Sequence, residues 1–264
     1  MDIKIIIAAH KECPLPGDSL YLPVHAGAAV HPYTLPYIGD HTGDHISEKN
    51  PHYCELTALY WAWKNLKADY IGLCHYRRYF CGKPFGSKQE RILTLAEAEQ
   101  LLSRADILVP RRRNYWIETN YSHYVHAHHA QDLELTRQIL QEQTGHGASM
   151  SYLEAYDRLM KRTDGHRFNM MVMRADLLDQ YCTWLFNILF ELERRLDLSE
   201  YDQYNQRVFG FVSERLLDVW LMANGYPYKE IPYVFTEQEN WPRKIRLFLK
   251  RKFFPADKDR KSQG

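Results

Sequence analysis

The sequence predicts an α/β fold, a mostly parallel sheet flanked by helices, and three observations predict it. "IKIIIAA" (Ile3–Ala9) is a short β-branched run without polar alternation, the pattern of a strand buried on both faces. "YIGLC" at residues 70–74 and "DILVP" at 106–110 are runs of the same kind. Helical periods lie between the runs, and strand, helix, strand in that order gives parallel neighbours joined by a right-handed crossover.

Taken in order, the first strand turns at His10. Residues 13–44 are dense in Pro, Gly and His with no steady period, which predicts a long irregular loop of the kind that often carries function. Asn50 and Pro51 suit an N-cap and first turn, after which Leu56, Leu59, Tyr60 and Trp63 recur at helical spacing. That helix feeds the strand beginning at Tyr70. A second amphipathic helix is predicted over 93–104, then the strand 106–110 ended by proline. The arginine- and histidine-rich stretch that follows reads as an ordered loop leading into a helix over 132–143. "RFNMMVM" (167–173) is another strand candidate, Leu177, Tyr181, Trp184, Ile188 and Leu192 mark a long helix, and a last helix covers about 203–223. The C-terminal part is therefore helical. The expected division is one domain over 1–240 and a basic aromatic segment with a charged tail over 241–264.

With 264 residues, 45% of them apolar, the chain can bury one substantial core. Lys and Arg total 34 against 33 Asp and Glu, so the net charge of +1 gives no reason to expect nucleic acid as a partner. Anion recognition has to be local. The five cysteines form no C-x-x-C pair, the N-terminus lacks a signal-peptide pattern, and no apolar run approaches the roughly 18 residues of a membrane span. A cytoplasmic protein, soluble or peripheral on the inner face of the plasma membrane, is the expectation.

His75, Tyr76, Arg77 and Arg78 fall where the third predicted element, a strand, ends, and open parallel sheets bind ligands outside the carboxyl ends of their strands. Arginine offers a planar fork for phosphate or carboxylate oxygens, so a diphosphate is the natural guest. The alternative is an arginine paired with Glu55 or Asp69 and a second one solvated. Asp40, Asp44, Ser47 and Asn50 in "GDHTGDHISEKN" suit either contacts to ribose or base, or turn and capping chemistry. His123, His126, His128 and His129 crowd one segment, yet no H-E-x-x-H or cysteine pattern accompanies them, so metal is not the favoured reading. On the last helix Val208, Val212, Leu216 and Val219 define a core face, Glu214 and Asp218 lie away from it, and Arg215 borders it, where burial would demand an anionic partner. Glu214 is a general base in a cleft or part of a solvated stripe. Residues 241–254 mix Trp, Phe and Leu with Arg and Lys, which suits an anionic membrane surface or a docked terminal helix.

Several long stretches occur together in order: "HTGDHISEKNPHYCELTALYWAWKN", "DYIGLCHYRRYF", "DILVPRRRNYWIETNYSHYVHAHH", "FNMMVM" and "YDQYNQRVFGFVSERLLDVWL". Over roughly residues 1–235 the chain resembles the bacterial exopolysaccharide and O-antigen glycosyltransferases long known only as a domain of unknown function and associated with galactofuranosyl transfer. The resemblance implies a GT-A-type, Rossmann-like sheet that binds a UDP-sugar, with a lipid-linked glycan or oligosaccharide as acceptor. Under it Ala8, Ala9, His10, Asp44 and Asn50 sit near the nucleotide. GT-A enzymes typically hold a divalent metal on an Asp-x-Asp at the end of a central strand. Here that place carries "HYRR", which implies that His75, Arg77 and Arg78 replace the metal and that no cofactor is needed. Asn169 resembles the acceptor-side strand, and Glu214 falls where inverting members carry their base, with Asp202 in reserve. The competing expectations are a transferase using another UDP-sugar and a metal at the histidine-rich loop, or a noncatalytic glycan-binding assembly subunit.

Overall fold

The computed structural model describes residues 1–143 and 145–237. The expectations for residues 241–264 therefore lie outside the described residues. Strand β1 (Ile3–Ala9) leads to β2 (Tyr21–His25) and β3 (Ile38–Gly39), and helices α1 (Asn50–Tyr53) and α2 (Leu56–Asn65) return the chain to β4 (Tyr70–His75) and β5 (Arg78–Phe80). Helix α3 (Leu95–Leu102), β6 (Ile107–Pro110), β7 (Arg113–Asn114), α4 (Asn120–Val125), α5 (Ala130–Glu142) and α6 (Tyr152–Lys161) follow. The chain then runs through β8 (Asp164–Gly165), β9 (Met171–Arg174), α7 (Ala175–Arg195), α8 (Val208–Asn224), β10 (Lys229–Ile231) and β11 (Tyr233–Phe235).

Among the described residues the main sheet runs β10-β6-β9-β4-β1-β2-β3, with β5 and β11 paired to each other beside β4. Strands β3, β2, β1 and β4 are mutually parallel, as the crossover through α2 requires. Strand β9 is antiparallel to both its neighbours, β4 and β6.

The period-2 geometry of a strand explains the all-apolar runs. Ile6 and Ala8 of β1 point into a core shared with α2 and α5 to α8, whereas Ile3, Ile5, Ile7 and Ala9 point into a second core under α3, β5 and β11. Strand β4 divides the same way, with Ile71 and Leu73 on one side and Tyr70 and Cys74 on the other. Burying each such side chain stabilises the fold by about 1.5–3 kcal/mol. Gly72 is required at the centre: a Cβ there would lie 2.8 Å from the Met171 carbonyl oxygen and 3.2 Å from Ile5.

Three expectations are corrected. The segment 13–44 is not wholly irregular, because it contributes β2 in register with β1. Pro23 removes only one donor from that strand, whose other edge meets just two residues of β3. The helix expected after Asn50 is two helices, broken at Cys54 with φ 53°, and Asn50 is its first residue rather than a cap. Its side-chain amide donates to the Cys54 carbonyl and to Thr57. In "RFNMMVM" only Met171 onward is strand, because Phe168 (φ 75°) and Asn169 (φ 52°) occupy the left-handed region. Such residues cost about 1–3 kcal/mol each and persist only when their surroundings fix them.

Candidate functional site

A cavity of about 1050 Å³ opens at the carboxyl ends of β1 and β4. Antiparallel β9 presents its beginning, not its end, at this edge: Leu73 pairs with Met171, which sets Phe168 and Asn169 level with His75. Among the described residues the charged side chains lining the cavity are six arginines (Arg77, Arg78, Arg113, Arg167, Arg207, Arg215) and two glutamates (Glu55, Glu214). In a chain of net charge +1, this concentration makes the cavity locally cationic.

At the β4 end, the hairpin turn at Tyr76 and Arg77 throws Arg77 and Arg78 to the cavity mouth. Arg77 is half exposed, 3.9 Å from Glu237, with its guanidinium 5.6 Å from the Tyr76 ring centre. Arg78 lies over Phe168 at 4.4 Å and Phe235 at 5.5 Å. His75 lines the cavity and is also tied into the fold. Its Nε2 meets the Phe168 carbonyl oxygen, which can only accept, so Nε2 is the protonated nitrogen. Burial lowers its pKa against the opposing pull of Glu55, leaving the ring neutral and the positive charge to the arginines. His10, edge-on to Tyr76, is likewise lowered, by burial first and then by His31, Lys11 and Arg77.

The opposite wall comes from β7, α4, the turn after β8, and α8. Tyr115 stacks on His123 with ring centres 3.6 Å apart, and Arg167 donates to the Tyr115 hydroxyl at 3.2 Å, to the His166 carbonyl at 2.6 Å and to Asn120. Arg215 is 4% exposed, lies 4.7 Å over the Tyr124 ring and donates to the Phe211 carbonyl at 2.7 Å. Among the described residues its Nε has no hydrogen-bond partner. Burial, then the Arg167 charge, pulls its pKa down. Glu214 stands between the two ends, 3.7 Å from Arg215 and close enough to act on His75 electrostatically.

Of the residues expected at the site, the cavity gathers Ala8, His10, Asn50, His75, Arg77, Arg78, Glu214 and Arg215. Asn169 sits just behind it, donating to Glu55 at 2.7 Å and to the Gly210 carbonyl, and accepting from Ser213. Asp44 and Asp202 do not line it. Asp44 accepts from Tyr60 and is clasped by Asn65, and Asp202 accepts from the Asn205 backbone at 2.7 Å, so both serve turns. Asp40 is fully buried and accepts from the Gly27 and Ala28 amides and from Ser47, fixing a turn whose Gly27 has φ +76°.

Asp218 is another correction. Expected on the side of α8 away from the core face, it is buried against His166, 2.5 Å from Nδ1, because α8 is enclosed almost all round. The histidine segment binds no common centre: His123 and His126 both meet Glu118, His128 meets Asn205, and His129 packs on Tyr201. Among the described residues no three His, Cys, Asp or Glu are placed to hold a metal ion.

Arg113, Tyr115 and Arg167 line the cavity without being expected there. A usable signal was present: "RRR" follows "DILVP" directly, the same charge at a strand end that singled out "HYRR".

Residues 4–225 match the sequence profile of a family described as a domain of unknown function, DUF4422. No curated protein matches the chain. A solved structure, the apo form of the WbbM bifunctional glycosyltransferase, is similar with a TM-score of 0.82 and 30% identity, covering 90% of this chain and 46% of that one. The chain thus spans about half the length of that protein.

Proposed function

Because this chain belongs to the DUF4422 family, whose description leaves function open, we propose a function from its cavity: it is a GT-A-type glycosyltransferase that moves a sugar, galactofuranose, from a UDP-sugar to a glycan or glycolipid acceptor of a cell-surface polysaccharide. The observation that carries this reading is the cavity at the carboxyl edge of the parallel strands, lined by six arginines and two glutamates. Similarity to a bifunctional glycosyltransferase supports the reaction class, and the family resemblance of the sequence motifs supports the donor. Arg77 and Arg78 neutralise the diphosphate where a metal would otherwise do so, and they stabilise charge on the departing UDP. His75 holds the Phe168 turn in place. Glu214 takes the proton of the acceptor hydroxyl as that oxygen attacks the anomeric carbon from the face opposite UDP. Asp202, already used in a turn, is the weaker alternative.

No described helix is long and apolar enough to cross a membrane. Residues 241–254 are proposed, on composition alone, to bring the enzyme to an anionic inner-membrane surface.

The deciding experiment is thermal unfolding with UDP, in EDTA and in manganese. Ligand at a hundred times its Kd stabilises by about 2.7 kcal/mol, a shift of several degrees for a domain of this size. The expected shift is the same with and without EDTA. A shift seen only with manganese would transfer the diphosphate to a metal and remove the role given to Arg77 and Arg78.

A further inference from the structure

The cavity has more cationic side chains than one diphosphate needs, and they are grouped. Arg77 and Arg78 sit on the hairpin after β4, whereas Arg113, Arg167 and Arg215 come from β7, the turn after β8, and α8. The electrostatic surroundings divide in the same way. His123 feels Arg215 and Arg167, and His128 feels Arg215, whereas His10 feels Arg77 and His75 feels Arg78. In the second group, Arg167 and Arg215 are each at least 95% buried by residue exposure. Neither is within hydrogen-bond distance of a carboxylate: Glu214 is 3.7 Å from Arg215, and Asp218, bound to His166, is 3.7 Å from Arg167. A buried guanidinium whose carboxylate stands at ion-pair distance but too far to hydrogen-bond is only partly compensated, and a ligand anion would complete the compensation. The orphaned Nε of Arg215 is a donor already desolvated and waiting for an acceptor. The stacked Tyr115 and His123 rings form an aromatic wall beside it, suited to the apolar face of a sugar.

We propose that Arg215, Arg167 and Arg113 form a second anion subsite that selects an acidic saccharide as acceptor, one bearing a carboxylate or phosphate group near the attacking hydroxyl. This rests on the nucleotide reading of the β4 end. It adds that Glu214, between the two subsites, faces an acceptor oriented by its own charge.

The test uses the full-length protein, with and without saturating UDP, titrated with glucuronate, galactose 6-phosphate and neutral galactose by calorimetry. Binding of an acidic sugar on top of UDP, at least about tenfold tighter than that of galactose, is the expected result, since only the acidic sugar accepts charge-assisted hydrogen bonds from these guanidinia. The glucuronate and phosphate arms tell which anion the subsite takes. Arg215→Gln should abolish the preference, and Arg113→Ala, at an exposed position, should weaken it in a protein certain to be compared at equal foldedness by circular dichroism. Acidic sugars that displace UDP would mean one anion site, and equal binding of acidic and neutral sugars would mean none; either overturns the proposal. Failure of UDP to bind overturns the nucleotide reading instead, while the titrations without UDP still decide this one.

Discussion

At the scale of single residues, the site depends on who owns each charge. Arg77 is half exposed and pairs only distantly with Glu237, so it is free to turn to a ligand. Arg77→Ala is expected to weaken UDP binding by about 1.5 kcal/mol, roughly tenfold, at little cost to stability; unchanged affinity in calorimetry would remove its phosphate role. Glu214→Gln keeps shape and loses the base. Turnover is expected to fall by about 10²–10⁴ with UDP affinity retained, as checked by product formation beside UDP calorimetry. A variant that still turns over at the parent rate would disqualify Glu214. His75 shows what a sequence cannot display at this scale. "HYRR" gives three potential cations, but only the fold aims the Phe168 carbonyl at Nε2 and so makes one of them a neutral strut.

At the scale of elements, the histidine segment between α4 and α5 is a structural joint. His128 ties it to Asn205, ahead of α8, and its ring packs 4.3 Å from Phe211. Burial lowers its pKa to about 4, against 6.5 in an unfolded chain. The unfolded state therefore takes up this proton first as pH falls, and stability drops between about pH 6.5 and 4. Burial lowers His10, His75 and His123 too, so the losses reinforce one another. Thermal midpoints measured across that window should fall less steeply for His128→Gln than for the parent; parallel slopes would refute the assignment. The strands β1, β4 and β6 were legible because strands buried on both faces leave continuous apolar runs. Strand β2 was hidden by Pro23 and by the turn-rich residues around it, and the Asp218 contact by α8, whose enclosure on nearly every side defeats a one-face reading. Helix α6 escaped notice although Ser151 caps it by accepting from the Glu154 amide, a short signal inside a polar stretch.

At the scale of the whole molecule, the cavity is assembled from residues as far apart as Ala8 and Arg215. No window of sequence contains it, which is why the strand-end rule found the Arg77 side and not the company kept by Arg215. The placement of β9 has a further consequence, one of timing. As the chain leaves the ribosome, β1, β2 and β4 can pair once His75 is out, yet the edge of β4 over Tyr70–Leu73, beyond the short contact of His75 with β5, has no neighbour until Met171–Arg174 arrives. For about a hundred residues of synthesis an apolar strand edge stands open to any other strand. A fragment ending at residue 165 is accordingly expected to aggregate in a sedimentation assay where the full chain stays in solution. For this fold, the nascent chain is most vulnerable in the interval before its one reversed central strand is made.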